Sequence, residues 1–369
     1  MRKLSGLQYS PPMADPVNPP PIRRTTLRSV AQLIADGLVP QDRAAALDRV
    51  ADNFATAIPP AFLDLIETPD DPIGRQVVPS PEELATAPWE RYDPIGDDAL
   101  SPVPGIVHRY EDRALLKPLL VCPLYCRFCF RREHVGPDGG LLSDDALETA
   151  LAWLASHPAI REVILTGGDP LMLSPRRLRH IVSRLSAIDH IETIRIHSRV
   201  PVADPRRVDT AMLDALETDR AMWIVLHANH ARELTEDARA SLRRIQSRAI
   251  PVLSQSVLLR GVNDTPSSLE ALLRAFVAAR VKPYYLHQLD PAPGTSHFHV
   301  PIEEGRALLR TLRGRVTGLA WPTYVLDIPG GAGKVPLGPD YYRPERHPGR
   351  ITDPDGGLHD LPETNPSAP

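Results

Sequence analysis

A chain of 369 residues, 42% hydrophobic and 24% charged, is long enough for one large domain or two ordinary ones with a substantial buried core. Its net charge of −4 gives no reason to expect nucleic acid or an anionic membrane as a bulk partner. No apolar run is long enough to span a bilayer, and three cysteines within one short window cannot make a disulfide framework.

The first residues are basic but carry no apolar segment, so a secretory signal is not expected and a cytoplasmic location is. Proline-rich residues 1–24 and the tail 341–369 read as flexible. Residues 25–110 read as a helical N-terminal region, from "SVAQLIADGL" and "DRAAALDRVADNFA". From 111 to 340, strand-like and helix-like segments alternate. "ALLKPLLV" is a buried strand candidate, and "DDALETALAWLASH" is helical in period with Ser143 as its N-cap. "REVILTGGD", "IETIRIHSR", "AMWIVLHANH", "IPVLSQSVL", "KPYYLHQLD" and "GLAWPTYVLDIPGG" read as strands, with helical stretches between them. Strands about every 30 residues predict a parallel α/β barrel or a doubly wound sheet. In both architectures chemistry collects at the C-terminal strand ends. The polar residues there are Gly167, Gly168, Asp169, His197, Ser198, Arg199, His227, His230, Gln255 and Asp290.

Cys122, Cys126 and Cys129 are all the cysteine the chain has, in the spacing C-x3-C-x2-C directly after the first strand candidate. Chance clustering of three small hydrophobes fits poorly with Arg127, Arg131 and Arg132 in the same loop. Zinc with His134 as fourth ligand is one reading. A [4Fe–4S] cluster with one iron left open is the other, and an open iron is a reaction site.

"DIPGGAGKVPL" places Lys334 after a glycine-rich turn. The motif lacks the GKS/GKT of a phosphate-binding P-loop. A lysine there is ordinarily a solvated surface residue; glycines that let backbone approach a ligand also suit a lysine bonded to a carbonyl cofactor. Asp290 and Asp327, taken singly, are candidates for turn or cap duty.

"CPLYCRFC" resembles the radical S-adenosylmethionine (SAM) signature. With "SPVPGIVHRYEDR", "LTGGDPL", "IRIHSRVPV", "QSVLLRGVND", "YYLHQLD" and "DIPGGAGKVPL", the stretch from about 90 to 340 resembles the lysine 2,3-aminomutase family. That resemblance implies an incomplete (βα)6 barrel and an isomerase that moves an amino group between C2 and C3 of L-lysine. It implies a [4Fe–4S] cluster on the three cysteines, SAM on its open iron, and pyridoxal 5′-phosphate (PLP) on Lys334. Arg109, Tyr110 and Arg113 would surround PLP. Gly167, Gly168, Asp169, Gln255 and His227 would lie on the SAM side. Arg131 would bind the substrate carboxylate, and Asp290 with Asp327 its ε-ammonium. An external one-electron reductant and a homo-oligomer are expected as well. Supply of (R)-β-lysine for elongation factor P modification, and arginine as the substrate, are the alternatives. Longer family members carry further cysteines for a structural zinc after the PLP lysine; this chain has none there.

Overall fold

The computed structural model describes residues 25–136, 140–343, 350–353 and 356–360. The expected flexible tail 1–24 lies outside these residues.

A nine-stranded sheet runs in the order of the chain. Its strands are β1 (Ile106–Tyr110), β2 (Arg113–Leu119), β3 (Glu162–Gly167), β4 (Thr193–Ser198), β5 (Ala221–His227), β6 (Val252–Val257), β7 (Lys282–His287), β8 (Thr323–Ile328) and β9 (Gly333–Pro336). Strands β2 to β8 are parallel to their neighbours, while β1 and β9 pair antiparallel at the two ends. Six crossovers carry α1 (Asp144–Ala155), α2 (Pro175–Ser186), α3 (Thr210–Asp214), α4 (Glu236–Gln246), α5 (Pro266–Ala278) and α6 (Ile302–Leu312). Among the described residues β1 and β9 do not pair with each other, so the barrel is incomplete.

The helices form where the sequence supplies both a stripe and a cap. In α1, Leu147, Ala150, Leu151 and Leu154 follow the helical repeat and are buried, and Ser143 Oγ accepts from Ala146 N at 3.2 Å. Each such buried leucine contributes about 2 kcal/mol of transfer free energy. Ser174 and Thr235 cap α2 and α4 in the same way, and Pro175 at N1 suits the start of α2. Strand β3 is buried through Val163, Ile164 and Leu165, as a strand covered on both faces must be.

Two regions depart from expectation. The N-terminal region holds only short helices, Val30–Ala35, Ala44–Ala51, Pro60–Leu63 and Gly74–Val77. It also contributes β1, so the barrel sheet begins at Ile106 and not after residue 110. Prolines at 59, 60, 72 and 81 break the helical period, and barrel contacts hold the segment instead. The tail from 341 contains a small antiparallel sheet of β10 (Tyr342–Arg343), β11 (Arg350–Thr352) and β12 (Leu358–Asp360). The β-branched pair Ile351–Thr352 favours that pairing over a disordered tail.

Candidate active site

Strand β2 ends at Leu119, and the chain turns at once into the cysteine loop. The first two residues after β3 pin that loop: Gly168 N donates to Leu119 O at 2.7 Å, and Asp169 N donates to Val121 O at 2.9 Å. Gly167 has φ +103°, a backbone region that favours glycine. The Asp169 carboxylate accepts from Ser198 Oγ (2.8 Å), Leu171 N (3.1 Å), Arg199 N (2.6 Å) and Val200 N (3.0 Å). It therefore ties the end of β4 to the end of β3.

All three thiols open onto one cavity of about 600 Å³ that reaches down the barrel. Burial pushes all three up, Cys122 well above the ordinary thiol range and Cys129 to about 12. The Arg199 guanidinium donates to one of them, Nη1 to Cys126 Sγ at 3.0 Å. Among the described residues no three His, Cys, Asp or Glu side chains gather around a single ion position. His134 lines a separate cavity of about 320 Å³, so the four-ligand zinc reading is not supported. Three half-buried thiols spread around one cavity, with Arg199 and Arg131 beside them, are a donor set for a larger cationic core such as an iron–sulfur cluster.

Lys334 comes from β9, which sequence reading did not separate from the strand before it. The β8–β9 pairing sets Asp327 directly across from Lys334, and the Lys334 ammonium forms an ion pair with Asp327 Oδ2. Arg109 Nη1 donates to Asp327 Oδ1 at 2.9 Å and Nη2 to Ile95 O at 2.5 Å. Tyr110 Oη accepts from Lys334 N at 2.8 Å, and Arg113 stacks its guanidinium over the Tyr110 ring at 3.8 Å. Arg109, Tyr110 and Arg113 thus sit around the lysine in the same cavity, with Arg195 and His197 nearby on β4. The His197 imidazole Nε2 is buried without a hydrogen-bond partner, and burial holds its pKa well below the ordinary value. A lysine, several arginines and an unpartnered imidazole suit an anionic aldehyde cofactor such as PLP.

Asp290 lies three residues beyond β7. Its Oδ1 is buried with no hydrogen-bond partner. Burial, then the charge of Asp327, raises its pKa to about 7. Arg131 lines the same cavity, and its Nε donates to Asp97 Oδ2 at 2.7 Å. His227 and Gln255 line it from β5 and β6, and His227 stacks on Phe128 at 5.7 Å. Burial and the Arg199 charge hold His227 well below the ordinary imidazole range, so it is neutral.

The structure therefore brings together the site residues the resemblance implies: the cysteines, Lys334, Arg109, Tyr110, Arg113, Gly167, Gly168, Asp169, His227, Gln255, Arg131, Asp290 and Asp327 all line one cavity, while His134 and His230 do not. Sequence reading missed Asp97, Glu162, Arg195, Tyr284, Tyr285 and His287. The strand residues among them sit inside strands, where inward alternation was the available signal. Asp97 lies in a loop with no motif.

Residues 116–274 match the model of the radical SAM superfamily, and residues 309–345 match that of lysine-2,3-aminomutase. The chain is 39% identical to the L-lysine 2,3-aminomutase of Acetoanaerobium sticklandii over 301 residues, 81% of this chain and 73% of that protein. It is 38% identical to that of Clostridium subterminale (80% and 71% covered) and 40% identical to that of Methanococcus maripaludis (80% and 69%). Identity of this depth over four fifths of the chain, with both family models matched, shows that the chain belongs to the L-lysine 2,3-aminomutase family of radical SAM enzymes.

Proposed function

We propose that this chain is an isomerase that interconverts L-lysine and β-lysine by moving the amino group between C2 and C3. Family membership brings a [4Fe–4S] cluster, SAM and PLP as cofactors. When bound, the cluster and SAM supply the carbon radical that breaks the C3–H bond, and PLP supplies the π system through which nitrogen passes.

The observation that carries the reading is the pairing of Asp290, whose Oδ1 is buried without a partner, with Asp327 in a cavity that also holds Arg131. Two carboxylates suit a compact ammonium, and an arginine suits a carboxylate through bidentate hydrogen bonds. Lysine presents both groups. In this reading Arg131 grips the α-carboxylate, and Asp97 on its Nε turns the rest of the guanidinium toward the cavity. Asp290 and Asp327 grip the ε-ammonium. Lys334 holds PLP, with Arg109, Tyr110 and Arg113 around it. Cys122, Cys126 and Cys129 hold the cluster. The backbone of Gly167, Gly168 and Asp169, with Gln255 and neutral His227, lines the SAM side. Leu289, Val257, Ile164 and Phe128 supply apolar wall that keeps water from the reacting carbons.

The relatives named above are lysine enzymes by name, so arginine as substrate and supply of (R)-β-lysine for elongation factor P are not favoured. An external reductant is supported by the placement of all three cysteines in the cluster loop, which leaves none for a second cluster. A homo-oligomer is supported by exposed Val335 and Leu358 on the edge strands β9 and β12, with Ile351 exposed between β10 and β12. A cytoplasmic location is supported by three unpaired thiols.

The test is anaerobic reconstitution with iron, sulfide, PLP, SAM and dithionite, followed by L-lysine or L-arginine. β-Lysine is the expected product. A reduced, cluster-loaded protein that leaves lysine unchanged overturns the reading.

A further inference from the structure

Arg199 is placed far more tightly than a residue that merely lines the cavity. Its own N–H is fixed by Asp169, and its side chain is enclosed: Arg199 is 5% exposed, and Glu233 and Gln76 are 0%. Nη1 donates to Cys126 Sγ at 3.0 Å. Nη2 donates to Glu233 Oε2 at 3.0 Å and to Gln76 Oε1 at 2.5 Å. The guanidinium carbon lies 5.0 Å from the Phe62 ring and 5.6 Å from the Phe128 ring.

The partners are fixed in turn. Glu233 Oε1 accepts from Asn229 N (2.9 Å), His230 N (3.0 Å) and Gln76 Nε2 (3.1 Å). Gln76 Nε2 also donates to Pro72 O at 2.9 Å, and its Oε1 accepts from Asn229 Nδ2 at 3.0 Å. A cation and an anion are thus locked in a nearly dry pocket, with the cation touching a cysteine sulfur. Such a pair costs desolvation that packed apolar side chains would avoid.

We infer that Arg199 and Glu233 act as an opposed pair that sets the reduction potential of the iron–sulfur cluster, with Gln76 of the N-terminal region holding their geometry. Reduction adds negative charge to a cluster. A donor and positive charge on a ligand sulfur stabilise that form and raise the potential; a nearby carboxylate lowers it. Low dielectric around the pair keeps both effects large. These are positioning and tuning roles, with no contact to substrate. The inference rests on the three cysteines holding the cluster.

The test is an EPR-monitored redox titration of the reconstituted full chain, without SAM or lysine, so turnover plays no part. Arg199→Met is expected to shift the midpoint to lower potential and Glu233→Gln to higher potential. Arg199→Lys, which keeps the charge but loses the fork, should fall between Arg199→Met and the unsubstituted chain. A residue that only braces the fold would change thermal stability without moving the two midpoints apart. Midpoints that stay put, or that move in the same direction in both variants, overturn the inference. If Arg199→Met does not retain iron, the upward shift of Glu233→Gln and the downward shift of Arg199→Lys decide the matter. A native chain with no reducible cluster would overturn the cofactor reading and this inference together; unmoved midpoints in a loaded cluster overturn this inference alone.

Discussion

Asp290 is a carboxylate placed where it resists ionising. Burial and the nearby Asp327 raise its pKa to about 7, from an ordinary 3.8. The folded empty chain therefore binds this proton more tightly than the unfolded chain does. Stability from this group is present below about pH 4 and is lost as pH rises through about 7. A lysine ammonium reverses the preference by rewarding the charged carboxylate. Lysine kcat/KM should accordingly climb with pH up to about 7 and level off above it. Asp290→Asn should abolish that acid limb and lower kcat/KM by about 100-fold, from roughly 3 kcal/mol for one partner of a buried charge pair. A pH profile of the variant that keeps its acid limb would reassign the residue. At this scale the sequence was informative where motifs carry chemistry. Asp97 was illegible because a lone aspartate in a loop resembles any turn residue, and only its 2.7 Å bond to Arg131 gives it meaning.

At the scale of elements, the end of β3 and the cysteine loop form one backbone unit. A Cβ on Gly168 would collide with the Val121 backbone N and O, and that oxygen cannot move without breaking the hydrogen bond it accepts from Asp169 N. Gly168→Ala should therefore cost at least about 3 kcal/mol and reduce iron bound per chain after reconstitution, measured by iron and sulfide analysis alongside thermal unfolding. Full iron content at native stability would show that the loop is softer than its packing implies. The alternation of β and α elements was legible because both periods repeat cleanly from β2 to α6. Strand β9 was not: it is four residues long, begins on a glycine just after Gly330 and Gly331, and exists as a strand only because β8 offers an edge. Its register is nevertheless what puts Asp327 across from Lys334.

At the scale of the whole molecule, the N-terminal region is part of the site's frame. Glu83, from the turn Pro81–Leu84, is buried between Arg127 and Arg132 of the cysteine loop. Burial alone would raise its pKa, but the two arginines hold it below the ordinary value. Arg127 Nε donates to Glu83 Oε1 at 2.9 Å, and Arg127 Nη1 reaches Ala55 O at 2.6 Å. Glu83→Ala leaves two guanidinium groups buried without their carboxylate and should cost about 3–5 kcal/mol, read as a lowered unfolding temperature and weaker iron retention. An unchanged unfolding temperature would mean that the region is a true appendage. This embrace was hidden in the sequence because the partners lie 44 and 49 residues apart, with no pattern to link them.

The lysine hairpin meets its partners across a much longer stretch of chain. Arg109 and Asp327 are 218 residues apart, and Gly330 N donates to Pro94 O at 3.1 Å. During synthesis the cysteine loop leaves the ribosome roughly 200 residues before Lys334. By then Gln76 and Glu83 have already emerged. The cysteines, Gln76, Glu83, Arg109, Tyr110 and Arg113 thus exist as nascent chain while Asp290, Asp327 and Lys334 are still untranslated. A chain cut off just before Lys334 would keep all three cysteines proposed to hold the cluster and lose the lysine proposed to hold PLP.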